Sequence, residues 1–242
     1  MTATLPPPST STHARRREPR RVSVGVVVFA IVCVGFLAFS LPPYLTLDPA
    51  QSRVVPRPDY PLHYPLLWAH ILFGSVALLT ACLQIWPWLR RAHPRVHRWS
   101  GRAYLVLGVL PGSIVVLGVA PVSSTGPISA VGNTMLALLW LGTAVVGWRA
   151  ARQRRFADHR AWMVRNVALT FSIVVNRVWI GFYLGLFAAL GSELDGPTIM
   201  AAAGASVWTS WIVSLLVAEW CVLRRPRSRT AASPHHGTSH AA

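Results

Sequence analysis

Three histidines lie in or beside long apolar stretches, where an imidazole can bind a metal ion. His70 is near the start of one stretch, His97 is near the start of the next, and His159 opens a later one. Transmembrane b-type cytochromes hold haem iron between two histidines on facing helices. One hypothesis is therefore that His97 and His159 bind haem b at the cytoplasmic side, with His70 as an outer ligand. The competing interpretation is that His97 and His159 are interfacial residues that hydrogen-bond to loops or lipid phosphate, because only His70 is plainly embedded.

A second polar group lies deep within the apolar stretches. Arg177 and its neighbour Asn176 belong to the fifth stretch. At 1.5 Å rise per residue, Arg177 and His70 each lie roughly 8 Å from the outer surface of a ~30 Å hydrocarbon core. The sequence predicts a buried polar layer of His70, Asn176 and Arg177, which would suit a small-molecule or ion transporter. The alternative is that Arg177 snorkels to the outer headgroups or pairs with Glu193 or Asp195.

Apolar stretches long enough to cross a bilayer must position these residues. The 242-residue chain is 53% hydrophobic and 12% charged, whereas soluble domains have about 25% charged residues. The sequence therefore predicts an all-α, polytopic transmembrane helix bundle of six spans. One transmembrane domain is expected over 22–224, between a basic, disordered arm at 1–21 and a basic, disordered tail at 225–242. The six spans are expected at about 22–45, 65–87, 98–120, 129–149, 160–190 and 198–222.

Arginine determines the predicted orientation. The net charge of +16 comes from arginines in the two terminal segments and in the loops 88–98 and 149–160, whereas the alternating loops are acidic or nearly neutral. Basic segments stay in the cytoplasm, so both termini are predicted inside. The charge therefore indicates a bilayer with anionic lipids at its cytoplasmic face as the partner, and not nucleic acid. The arginines expected to contact lipid phosphate are Arg90, Arg91, Arg98, Arg102, Arg154, Arg155 and Arg165.

Helical periodicity places further polar residues on shared faces. At 100° per residue, one face of small and polar residues contains Gln84 on the second span, Tyr104 on the third and Asn166 on the fifth. Such faces are typical of helices that pack closely and hydrogen-bond to one another. Pro111 predicts a kink in the third span.

The remaining chemistry-bearing residues predict no further site. Glu219, near the inner end of the sixth span, is expected to pair with Arg224 or Arg225. The three cysteines lie in apolar stretches, and their spacing indicates packed thiols without a disulfide framework or a metal site; they are Cys33, Cys82 and Cys221.

Short motifs across the central part of the chain carry a family resemblance. They are His70-x3-Gly74, Gln84-x-Trp86-x2-Leu89-Arg90, His97-Arg98-Trp99-x-Gly101-Arg102-x-Tyr104 and His159-Arg160-x-Trp162-Met163-x-Arg165, together with Arg177. Over roughly residues 60–190 the chain resembles a family of predicted bacterial membrane proteins that is catalogued as a domain of unknown function. The resemblance implies a multi-pass protein of the bacterial cytoplasmic membrane, without an established activity. Beside the haem protein and the transporter, it leaves a third alternative open, a non-catalytic scaffold that binds anionic lipid.

The arginine pattern generates a test of the orientation. Reporter fusions in the basic loops and tail are expected to read cytoplasmic, because arginine-rich loops resist translocation. Paired alkaline phosphatase and fluorescent-protein fusions measure this after Arg91, Arg155 and Arg227, and external signals are expected near Arg57, Thr125 and Asp195. Phosphatase activity after Arg91 and Arg155, with fluorescence near Arg57, would show that the chain is inserted the other way round.

Overall fold

The computed structural model describes residues 24–224, and every regular element within this range is helical. The predicted arm at 1–21 and tail at 225–242 lie outside the described residues. In chain order the helices are α1 Val24–Ser40, α2 Pro42–Leu45, α3 His63–Gln84, α4 Pro87–Ala92, α5 Pro94–Ala103, α6 Leu110–Val119, α7 Pro127–Arg152, α8 Phe156–Ala189 and α9 Gly196–Leu223. A π-helical segment, Tyr104–Val109, joins α5 to α6, and short 3-10 turns cover Pro49–Gln51 and Ala120–Val122.

Within the described range, five helical stretches are long and apolar enough to cross a membrane. Four of them are α3, α7, α8 and α9. The fifth is the continuous helical stretch Pro94–Val122, called here the α5–α6 rod, which contains α5, the π-helical segment, α6 and the 3-10 turn after it. Their mean hydropathies lie between 1.6 and 2.3. α1 is strongly apolar but has only 17 residues. It ends at Ser40 because Pro42 and Pro43 begin a separate short helix. The predicted all-α transmembrane bundle is confirmed, with five full-length spans and a shorter first apolar helix.

The third span contains an irregular turn in front of Pro111. At the end of the π segment the N–H of Leu110 donates to the carbonyl of Leu105, five residues earlier. Pro111 has no N–H, so the α-helical bond that this residue would make is missing. The irregularity that Pro111 predicts therefore takes the form of a widened π turn, a feature frequent at functional sites.

Small residues allow the helices to approach one another closely. Ala77 and Ala81 on α3 are completely buried, as is Tyr104 opposite them. A Cβ atom added to Gly108 would lie 2.9 Å from the backbone of Ala77. Only glycine fits at this crossing, and the close approach supplies the van der Waals contact that holds helices together in lipid.

The outer surfaces of the helices are apolar. In the most apolar window of each full-length span only 17–44% of residues are buried within the bundle. The outward residues include large aliphatic side chains such as Ile31 and Ile114, each 64% exposed, and Val178, which is 71% exposed. Such a surface would aggregate in water, so it is the surface that contacts lipid tails.

Short-range polar contacts order the loops on the side opposite the basic loops. The carboxylate of Asp195 caps α9 by accepting from the N–H of Thr198 at 2.9 Å, and this bond holds the pKa of Asp195 below its ordinary value. The hydrogen bond from Arg57 likewise lowers the pKa of Asp59, with which Arg57 forms an ion pair. Both carboxylates are exposed, so these contacts shape the loops more than they stabilise the fold.

The Gly108 crossing generates a stability prediction. Gly108→Ala is expected to destabilise the protein by about 1–3 kcal/mol, because the added methyl group overpacks the contact with the Ala77 backbone. Thermal unfolding in detergent, followed by size-exclusion chromatography, measures the change. Gly74→Ala is the matched control, since a Cβ atom added to Gly74 would have no neighbour within 4 Å. Equal unfolding midpoints for the two variants would contradict the close crossing.

Candidate functional site

The candidate site lies at the end of the bundle that the arginine pattern places in the cytoplasm, where α3 ends and α5 and α8 begin. The side-chain amide of Gln84 donates to the carbonyl of His97 at 3.0 Å and to the hydroxyl of Ser100 at 2.6 Å. A Cβ atom on Gly101 would lie 3.1 Å from the Gln84 side chain. Gln84 therefore fixes α5 against the end of α3, and with it the position of His97.

His97 is half-buried and surrounded by positive or protonatable groups. Its Nδ1 atom is buried and has no hydrogen-bond partner in the part of the chain that the structure describes. The ionisable neighbours of the ring are Arg90, His159 and Arg98. The structure thus brings His97 and His159 into one electrostatic cluster from two different helices.

His159 is held by a backbone acceptor on α7. Its Nδ1–H donates to the carbonyl of Gly147 over 2.9 Å. A carbonyl can only accept, so this hydrogen bond requires a proton on Nδ1, and Nε2 is the ring nitrogen that the bond leaves unused. A Cβ atom on Gly147 would lie 3.0 Å from the sulfur of Met163, so glycine is what allows α8 to pack closely against α7 here.

A buried polar network lies two turns further along the α5–α6 rod. The hydroxyl of Tyr104 donates to the side-chain oxygen of Asn166 at 2.5 Å and contacts the hydroxyl of Thr170 at 2.7 Å. Tyr104 and Asn166 are completely buried, and Thr170 is 6% exposed. The polar faces predicted for the third and fifth spans therefore meet through these side chains.

Two residues of α7 complete this network. The indole N–H of Trp140 donates to the hydroxyl of Thr170 at 2.8 Å, and the amide of Asn166 donates to the hydroxyl of Thr143 and to the backbone carbonyl of Trp140, both at 2.8 Å. The sequence alone does not single out Trp140 and Thr143, because a tryptophan in an apolar span usually indicates packing. Their i, i+3 spacing on one face of α7 was the available signal.

The described contacts of His70 and Arg177 are separate. His70 on α3 lies against the backbone of Gly112 on α6, and its buried Nδ1 atom has no hydrogen-bond partner among residues 24–224. Arg177 is exposed on α8, and the ionisable side chains near it are those of Tyr44 and Arg53. Arg177 is therefore exposed on the surface of the bundle, and the buried layer of His70, Asn176 and Arg177 stays a prediction.

The packing of α9 explains which of two adjacent residues is buried. Asn176 is 9% exposed, and its amide donates to the hydroxyl of Ser206 on α9 at 3.0 Å. Successive residues of a helix point about 100° apart. Because Asn176 faces α9, Arg177 points about 100° round the helix from that contact, onto the exposed surface.

Most of the arginines that the sequence assigns to lipid phosphate are exposed at the same end of the bundle as His97. These are Arg90, Arg91, Arg98, Arg102, Arg154 and Arg155. Arg155 forms an ion pair with Asp158 at 2.6 Å within the loop, and Arg102 lies over the ring of Trp99 at 5.1 Å. The cluster therefore presents several guanidinium groups on one side of the bundle, next to His97.

Arg165 has a different partner from the other arginines. It is half-buried and forms a two-pronged ion pair with Glu219 on α9, in which its Nη2 donates to Oε2 at 2.7 Å. Glu219 therefore pairs with Arg165, and the predicted pair with Arg224 is absent from the described contacts. Arg224 instead lies 3.6 Å above the ring of Trp220, and Arg225 is outside the described residues. The pair fastens α8 to α9, because α9 crosses the start of α8 at this level.

The lipid-facing helices and the basic end of the bundle define an integral, multi-pass membrane protein. The chain belongs to the family described as predicted membrane protein (DUF2306), whose model matches residues 67–222. The resemblance based on motifs over about 60–190 is confirmed, and the match also includes α9, which the motifs left out. No curated protein and no solved structure matches the chain.

The network around Tyr104 generates a second stability prediction. Tyr104→Phe is expected to cost about 1–3 kcal/mol, because Asn166 and Thr170 lose a buried hydrogen-bond partner. The thermal midpoint in detergent measures the loss. Tyr64→Phe is the matched control, since the Tyr64 hydroxyl is buried without a partner in the described part of the chain, and its removal is expected to leave the midpoint unchanged or higher. A Tyr104→Phe midpoint equal to that of the unmutated protein would contradict the network's role.

Proposed function

We propose that the protein is a haem b-binding redox protein of the bacterial cytoplasmic membrane, in which His97 and His159 are the axial ligands at the cytoplasmic side. The observation that carries the proposal is the placement of two imidazoles, from α5 and from α8, as electrostatic neighbours. Paired imidazoles from facing helices are the ligand set of b-type haem in helix bundles.

The hydrogen bonding of the two rings fits this donor set. Ligating histidines ordinarily donate their other ring N–H to a backbone carbonyl or a carboxylate, which orients the ring and fixes its tautomer. His159 does so to Gly147 at 2.9 Å. The buried Nδ1 of His97 lacks a partner among the described residues, and an unsatisfied buried nitrogen is costly unless something binds it.

The arginines beside His97 fit the other end of a haem. The charged neighbours Arg90 and Arg98 are exposed guanidinium groups of the kind that pair with carboxylates, and the two propionates of haem are carboxylates. The exposed arginines further out would contact phosphates of anionic lipids, because the cytoplasmic leaflet is negatively charged.

The chain's own contribution is to hold and orient these groups. When bound, haem supplies one-electron transfer between its ferric and ferrous forms. Gln84 holds α5 in place, the Gly147 carbonyl holds the proton of His159, and the network of Tyr104 and Asn166 keeps the helices in register. His70, in the predicted outer half, is the candidate for a second ligand on the opposite side of the membrane.

A second candidate function uses the same basic cluster without a cofactor. Several exposed guanidinium groups with two imidazoles also suit the phosphate of an anionic lipid, in a non-catalytic scaffold. A transporter is the third candidate; the unpartnered buried nitrogen of His70 supports it, whereas the exposure of Arg177 weakens it. The haem protein and the lipid-binding scaffold differ in one measurable property, because only the haem protein absorbs visible light.

The haem proposal predicts the colour of the purified protein. Expression with 5-aminolaevulinate is expected to yield a preparation with a Soret band and sharp α and β bands on reduction. His97→Ala and His159→Ala are each expected to remove the low-spin spectrum while the protein still inserts. Absorption spectroscopy, with haem quantified as the pyridine haemochrome, measures both effects.

The matched control is His93→Ala, at the junction between α4 and α5. The ring of His93 packs edge-on against Trp88, with ring centroids 4.9 Å apart, so this variant is expected to keep the spectrum. A colourless protein in cells with ample haem would contradict the proposal and favour the lipid scaffold. An unchanged spectrum in both His97→Ala and His159→Ala would exclude these two residues as ligands.

A further inference from the structure

Two cysteines from different helices meet where α1 packs against α3. Cys33 on α1 is completely buried, and Cys82 on α3 is half-buried. Cys82 packs against the buried cluster to which Cys33 belongs, so the two thiols are neighbours in the interface between α1 and α3. The tertiary structure therefore pairs two residues that the sequence indicates only as separate packed thiols.

The surroundings of the pair are apolar. Cys33 belongs to a buried cluster with Leu37, Leu78 and Val174, and Cys82 packs against this cluster. The Cys82 thiol donates to the carbonyl of Leu78 at 3.4 Å, which leaves its sulfur lone pairs free for Cys33. Packing therefore holds both cysteine side chains in one apolar cluster.

We propose that Cys33 and Cys82 form a reversible disulfide within the membrane, which ties α1 to the rest of the bundle. The disulfide would strengthen the attachment of α1, because α1 packs less extensively against the bundle than the five full-length spans do. α1 lies outside the family match at 67–222, and its aromatic contact with α8 is the packing of Phe29 against Phe171, with ring centroids 4.7 Å apart. The proposal does not depend on haem binding.

The oxidant must be soluble in lipid. Cytosolic glutathione keeps accessible thiols reduced, and a charged oxidant would have to enter an apolar cluster to reach Cys33. A membrane quinone partitions into the bilayer and accepts two electrons. Two S–H bonds break, one S–S bond forms, and the two protons and two electrons pass to the quinone, which becomes the quinol.

Cys221 provides an internal comparison. It is on α9 and is exposed, whereas Cys33 is completely buried and Cys82 packs against the cluster that contains it. Quinone oxidation is therefore expected to remove two thiols per chain and leave Cys221 reactive towards maleimide.

A cleavage experiment on the full chain tests the link. A protease site is inserted after Val55, which is 73% exposed in the loop between α1 and α3, in a Cys221→Ser background. The purified protein in nanodiscs is treated with decylubiquinone, cleaved and run on a non-reducing gel. The two fragments are expected to migrate together, with at least a several-fold larger linked fraction than without quinone, and to separate after dithiothreitol.

Cys33→Ser and Cys82→Ser are the matched controls, and both are expected to give separate fragments under every condition. Intact mass spectrometry of the unmodified chain provides an independent measurement that needs no insertion; a loss of two hydrogens and protection of both thiols from iodoacetamide are expected. Free thiols at both positions after quinone treatment of folded protein would overturn the proposal. A link that persists in either serine variant would also overturn it.

Discussion

The bundle depends on the satisfaction of buried polar groups in a medium that offers no water. Asn166 is the centre of this requirement, since it is completely buried and bonds at once to the α5–α6 rod and to α7. In hydrocarbon an unsatisfied amide would cost several kcal/mol, so only one arrangement of these helices is favourable. The network therefore specifies register, where apolar packing alone would leave several alternatives.

The cluster around His97 contrasts with the network around Asn166. A short distance along the same rod, His97 has a buried ring nitrogen without a partner in the described chain, and its charged neighbours are cationic or protonatable. Natural proteins keep such uncompensated groups mainly where something binds. What distinguishes His97 from the other buried groups without a partner is the set of arginines beside it, and this combination is the physical reason to place function at this end.

The contacts that attach each helix to the bundle also differ in kind. The core helices approach through Ala77 and Gly108 and through the Arg165–Glu219 ion pair. α1, by contrast, is held mainly by the apolar cluster that contains Cys33. A redox-sensitive bond at this peripheral helix would change its attachment without disturbing the polar network, because the two regions share no hydrogen bond in the described part of the chain.

The sequence by itself determined the membrane class, the positions of the spans and the family, because hydropathy and local motifs are properties of short segments. It also indicated Tyr104 and Asn166 as inward polar residues through helical periodicity. Only the tertiary structure decided which partners these faces have, that Glu219 pairs with Arg165, and that Arg177 is exposed. Those outcomes depend on the rotation and crossing of helices far apart in the chain, which periodicity within one helix does not specify.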